Sequence, residues 1–300
     1  MDVRLERIGR LLAVARGCER EGAYNAAKLI RAALDRELVR YAEAEAPSGS
    51  AAAADALDTL VADLADDLPP ALVPWLSGLG DAVRRGHTIA LRDAPRAHVC
   101  RVCGAILLGD DVPVACPTCE APALSFREEL PVWYLEPADR GAILAALAVG
   151  PRHLADALAG RDDGTLARPP VPGEWSARET LEHLLYAEEL FSARIERLLA
   201  EDDPDLVAAA VWAETPPSDE GSASTGDAAS VLAARVHDLR RATVERLAAL
   251  PDAAWGRAGT HPEWGRVTVL SQAAYFARHE AAHLAQLAAA AAGRLPGQRG

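Results

Sequence analysis

Four of the five cysteines fall within twenty residues as two Cys-x-x-Cys pairs, Cys100-Arg-Val-Cys103-Gly104 and Cys116-Pro117-Thr-Cys119, with twelve residues between the pairs. Each pair makes a tight knuckle that brings two thiolates to one ion. Two knuckles complete a tetrahedral set of four sulfurs, a donor set that suits zinc or iron. In a chain of 300 residues this pairing speaks for metal binding rather than a disulfide framework. Cys18 stands alone and is expected to be a small packed apolar residue.

A second constellation is built from imidazoles. In His279-Glu280-Ala-Ala-His283 the two histidines are four residues apart. Four residues advance a helix by about 400°, so both rings leave one face, a turn apart, and can clamp one divalent ion. As text this is also the His-Glu-x-x-His motif of zinc peptidases, in which Glu is the general base. That chemistry needs a further ligand, usually downstream, and none of the seventeen residues after His283 is His, Asp, Glu or Cys. A third histidine, His183, lies in an apolar stripe with Leu184 and Leu190 nearby. Glu280, about 100° round the helix from His279, is the one candidate for a catalytic carboxylate, and a surface charge is its preferred reading. Tyr275, one turn before His279, and Tyr186, three residues after His183, are candidates to line a pocket. Trp175, Trp255 and Trp264 are expected as core or loop anchors, and His153, His237 and His261 as exposed residues. His87 and His98 are expected in loops, His98 with a carbonyl within reach.

Helices must position most of these groups. Apolar residues recur every three or four positions at Leu5, Ile8, Leu12 and Ala15, then at Ala26, Ile30, Ala33, Leu34, Leu38 and Tyr41. This predicts helix over 3–46, interrupted near Gly17 to Gly22 and ended by Pro47-Ser48-Gly49-Ser50. Shorter helices are expected at about 52–66 and 70–85. Gly and Pro punctuate 87–131, which reads as a small loop-rich module around the cysteines. From Pro137 the helical period returns four times: 137–160, kinked at Gly150-Pro151, then 177–200, 227–249 and 269–292. Ser176-Ala-Arg-Glu179 is a capping box at the start of the second, and Thr268 and Gly293 bracket the fourth. The Pro-, Ser- and Gly-rich stretch 202–226 reads as a mobile loop. The fold class is mainly α: a helical platform at 1–90, a metal-knuckle module at 97–131 and a four-helix bundle at 136–293.

Composition agrees. Half of the residues are apolar, aromatics reach only 5%, and 65 are alanine, which favours close helix packing over sheets. A formal charge of −13 argues against nucleic acid or an anionic membrane surface as partner. No apolar run is long enough to span a bilayer, and the short Leu11–Ala15 run among charges does not suggest a signal peptide. A reducing cytoplasm is the expected compartment.

Two family resemblances sharpen these expectations. His98-Val-Cys100-Arg-Val-Cys103-Gly104, Pro113-Val-Ala-Cys116-Pro117-Thr-Cys119-Glu-Ala-Pro122 and Phe126 resemble the rubredoxin-like module at the C-terminal end of rubrerythrins. The resemblance covers roughly 97–129 and implies iron held by four cysteines and single-electron transfer. Glu120 stands where that family usually has a second knuckle glycine, and Ala105 replaces an aromatic residue expected to shield the iron. A structural zinc ribbon is therefore the alternative. The di-iron bundle that precedes this module in rubrerythrins is excluded on ligand supply, because residues 1–86 contain no histidine.

Residues 136–292 resemble the DinB-like superfamily of four-helix bundles, which includes metal-dependent thiol transferases. The matching features are Pro172-Gly-Glu-Trp175-Ser176, His183-Leu-Leu, Trp255, His261-Pro-Glu-Trp264-Gly and His279-Glu-x-x-His283-Leu-x-Gln286. The resemblance implies a three-histidine metal site of His183, His279 and His283. Three imidazoles with an open fourth position suit zinc, nickel, iron or manganese, and such an ion activates water or holds a thiol as thiolate. The expected function is a metal-dependent transferase or hydrolase acting on a small electrophile with a low-molecular-weight thiol or metal-bound water, with electron transfer at the cysteines. The alternative is a non-catalytic redox or binding protein with structural zinc. Expected partners are the small thiol or electrophile, a redox protein, and a second copy of the chain at the platform.

Overall fold

A computed structural model describes residues 3–47, 49–66, 68–85, 95–206 and 227–295. Its contacts divide the chain into two units, Met1–Thr88 and Ile89–Gly300. The first consists of helices α1 (Val3–Arg20), α2 (Tyr24–Glu45), α3 (Ser50–Leu64) and α4 (Val73–Arg84). α1 packs on α2 and α3 on α4. The break near Gly22 is a left-handed turn at φ 74°. Few side chains are buried here: Ala15, Ala27, Leu34 and Ala54 form the interior, while Leu12, Leu29 and Val39 are exposed. Charged side chains join the pairs, with Arg31 on Glu19 at 2.6 Å and Arg84 bridging Asp55 and Asp58 at 3.0 and 2.8 Å.

The second unit opens with a small antiparallel sheet where loops were expected. Strands β1 (Ala97–Cys100), β2 (Ile106–Leu108) and β3 (Phe126–Glu129) lie in the order β2-β1-β3. His98 pairs with Leu107 on one side and Glu128 on the other, so it belongs to the central strand and not to a loop. It is 3% exposed, and its Nε2 lies 3.1 Å from the Gly109 carbonyl, the kind of bond foreseen for it. His87 and most of 202–226 lie outside the described residues.

Four long helices follow: α5 (Arg140–Leu158), α7 (Ala177–Ala200), α8 (Ala229–Ala248) and α9 (Val269–Ala291). They pack as a ring in the order α5–α9–α7–α8. α5 continues as helix through Pro151. At the start of α7 the Ser176 hydroxyl accepts the Glu179 N–H at 3.2 Å, and the Glu179 carboxylate accepts the Ser176 N–H at 2.7 Å. Thr268 and Ser271 close the same box on α9. Gly293 ends α9 at φ 67°. A short helix α6 (Asp163–Leu166) and a hairpin of β4 (Ala258–His261) and β5 (Gly265–Thr268) complete the unit. Among the described residues no helix is long and apolar enough to cross a membrane.

The bundle core is in two parts. One apolar cluster gathers Leu147, Phe191, Leu198, Leu247 and Phe276, the other Leu154, Leu181, Leu184, Leu232 and Leu287. Between the two lie Gly150 on α5, Arg240 and Thr243 on α8, and His279, Glu280 and His283 on α9, while on α7 His183 and Glu188 flank the changeover between Leu185 and Ala187. The core thus has a polar belt at mid-height.

Candidate metal centres

The four paired cysteines converge. β1 delivers Cys100, and the first knuckle closes when the Gly104 N–H bonds to the Cys100 carbonyl at 2.8 Å and the Cys100 N–H to the Ala105 carbonyl at 2.9 Å. The second knuckle repeats the pattern, Glu120 to Cys116 at 2.9 Å and Cys116 to Ala121 at 2.7 Å. Residues in the fifth position of each turn need positive φ: Gly104 adopts 82° and Glu120 adopts 61°. Cys100 Sγ lies 3.8 Å from Cys119 Sγ, and Cys103 Sγ lies 3.7 Å from Cys116 Sγ. A tetrahedron with metal–sulfur bonds of about 2.3 Å has an edge of about 3.8 Å, whereas a disulfide requires about 2.05 Å. The sulfurs therefore sit at ligand spacing.

Their acidity agrees. Backbone N–H groups of Cys103 and Val102 outweigh burial and hold the Cys100 thiol below its usual value. Burial opposes ionisation at Cys116, but bonds from Thr118 and Cys119 bring it to about 7. At Cys119 the Ala121 N–H lowers the value, yet burial and the three neighbouring sulfurs push it up to about 12. Four thiolates cannot all form at this spacing without a cation between them. Cys18 is half-buried on α1.

His183, His279 and His283 also meet, and one ligand nitrogen of each lies within 4.8 Å of the others. His183 Nε2 and His279 Nε2 are 3.2 Å apart, matching the edge of about 3.3 Å for a tetrahedron with metal–nitrogen bonds of 2.0–2.1 Å. The Gln286 amide oxygen lies 2.9 Å from His283 Nδ1. It fixes the proton there and leaves Nε2 as the free lone pair. Burial, then the charges of His283, His183 and Arg240, lower His279 to about 2, and burial lowers His283. Both rings are neutral at physiological pH, the form that binds metal. His279 Nδ1 is buried with no hydrogen-bond partner among the described residues. Both donor sets fit an ion.

Aromatic rings wall the triad. Tyr275 stacks on His279 with centroids 5.8 Å apart and an angle of 19°. Phe191 approaches the same ring edge-on at 6.0 Å. Trp175 stacks on His283 at 5.7 Å and 17°, and reaches His183 at 4.7 Å. It was expected only as an anchor, and its place before Ser176 was the available signal. Tyr134, which no motif marked, stands edge-on to His279 at 6.4 Å. It arrives on the segment linking β3 to α5, where Arg278 donates to the carbonyls of Tyr134 and Glu136 at 2.7 and 2.6 Å. Tyr186 is half-buried on α7.

Two expectations are corrected. Glu280 is not a surface charge: it is 3% exposed and paired with Arg240, which also binds Glu188 at 2.6 Å and is itself 1% exposed. Its carboxylate is not among the ligand atoms grouped at the triad. Burial raises its pKa against the opposing charge of Arg240. His261 is not exposed either but 4% accessible, stacked on Trp264 at 3.9 Å, its Nδ1 accepting the N–H groups of Glu263 and Trp264 at 3.2 and 3.3 Å. His153 and His237 are exposed, as expected. Trp255 is buried in the core.

Comparison with known proteins follows this division. No curated protein matches the sequence. Among solved structures, YfiT from Bacillus subtilis, described as a probable metal-dependent hydrolase with an unusual four-helix bundle topology, is similar over 52% of this chain and 91% of that one. The identity is 21% and the TM-score 0.45. Residues 98–127 match the family model for the rubrerythrin, rubredoxin-like domain, and residues 146–287 match the model of the DinB superfamily. The chain therefore joins a rubredoxin-like domain of the rubrerythrin type to a DinB-superfamily four-helix bundle.

Proposed function

We propose that the bundle is a metal-dependent transferase or hydrolase whose ion sits on His183, His279 and His283. The observation that carries this reading is the set of three imidazoles flanked by aromatic rings, their ligand nitrogens within 4.8 Å of one another and one pair at the 3.2 Å of a tetrahedral edge, with no fourth protein ligand grouped with them among the described residues. A bound divalent ion supplies a Lewis acid that activates water or a low-molecular-weight thiol toward a small electrophile. The chain's own residues do the rest. Gln286 fixes the tautomer of His283, and Tyr134, Tyr275 and Phe191 exclude water and offer an apolar surface to the substrate. Glu280, engaged with Arg240, holds α9 in place rather than touching substrate.

The cysteine site is proposed to hold iron and exchange single electrons with a redox protein. Structural zinc is the second reading, favoured by the side chain of Glu120 at a turn that prefers glycine. In this proposal the platform pairs with a second copy in the cytoplasm.

Metal analysis with an optical spectrum tests both sites. The purified chain should hold two ions, and the His183→Ala variant should keep one. Two ions retained in the variant would refute the triad. The red colour of ferric thiolate is expected, and a colourless zinc-loaded protein would refute electron transfer.

A further inference from the structure

Trp175 is 8% exposed, lies against two of the three histidines, and carries one polar atom, the indole N–H. That Nε1 is buried and has no hydrogen-bond partner among the described residues. An indole N–H only donates, and a buried donor without an acceptor is costly enough to be uncommon in folded proteins. The position is held firmly. Gly173 turns the chain at φ 87°, and the Ser176–Glu179 box fixes the residue that follows Trp175.

Resting on the metal reading above, we propose that the Trp175 N–H is the donor that receives the acceptor atom of the ligand held at the triad. It is a substrate-positioning group. Three imidazoles bring no negative charge to an ion, so the ligand atom favoured there is anionic, a thiolate sulfur or an oxyanion. The rings of Tyr134, Tyr275 and Phe191 suit an apolar body behind that atom. The class of ligand is thus a small anion or thiolate with an apolar substituent.

The test uses the zinc-loaded full chain and azide as probe, titrated by calorimetry. Trp175→Phe keeps the ring face and removes the N–H. It should bind azide roughly tenfold more weakly, the loss of one charge-assisted hydrogen bond, with two zinc ions per chain retained. In the wild-type protein the indole proton of Trp175, identified as the resonance missing from the variant, should move downfield when azide is added. Equal azide affinity with an unmoved indole proton would overturn the role of Trp175 and leave the triad standing. A wild-type chain that holds only one zinc ion would overturn the triad itself, and this inference with it. Two zinc ions without azide binding would overturn the open position and the donor role together. If the variant loses zinc, the indole proton decides: a downfield shift supports the proposal, its absence refutes it.

Discussion

Glu120 occupies at φ 61° the turn that Gly104 makes at φ 82°. A side chain in the left-handed region is strained, and glycine is not. Glu120→Gly should therefore stabilise the metal-loaded protein by about 1 kcal/mol, read from chemical denaturation. A loss of stability would mean that the carboxylate is itself engaged. At this scale the sequence was most legible where spacing alone determines geometry. Cys100, Cys103, Cys116 and Cys119 meet because the knuckle is local, and His279 and His283 share a face because the helix does. It was least legible for buried polar groups whose partners are far away in the chain. Glu280 reads as a surface residue until Arg240, forty positions earlier, is seen beside it, and His261 until the hairpin closes over it.

α7 and α9 begin where their capping residues predict, since each box is satisfied within four residues. The hairpin β4–β5 and the sheet β1–β3 were not read, because strands of three or four residues are too short to show a period. The polar belt explains one helix position that propensity alone does not. A methyl group added at Gly150 of α5 would lie 2.5 Å from the Glu280 carboxylate, which Arg240 pins in place. Although alanine is the better helix former, Gly150→Ala should destabilise the bundle by about 1–3 kcal/mol. The Gly150→Ala/Glu280→Ala pair should be clearly non-additive in denaturation experiments. Additive effects would show that α5 and α9 do not meet through this contact.

Protons act on the stability of the molecule as a whole. Burial and then the charge of Arg194 lower His261 to about 3, whereas an unfolded histidine titrates near 6.5. Between those values the unfolded chain binds more protons. The contribution of His261 is complete above about pH 6.5 and is lost as pH falls toward 3, at up to about 1.4 kcal/mol per pH unit. Comparing wild type with His261→Gln from pH 7 to 4, the stability advantage of the wild type should shrink steadily. A constant difference would contradict the shifted titration.

The family matches end at residue 127 and resume at 146, so the intervening stretch belongs to neither pattern. Yet that stretch supplies Tyr134 to His279, Leu135 and Ile143 to the core, and the carbonyls that Arg278 grips. The join between the two matched parts thus brings a ring against the histidine triad. A bundle cut out at the bounds of its family match would lose the Tyr134 ring from beside His279 and the carbonyls that hold Arg278 on α9.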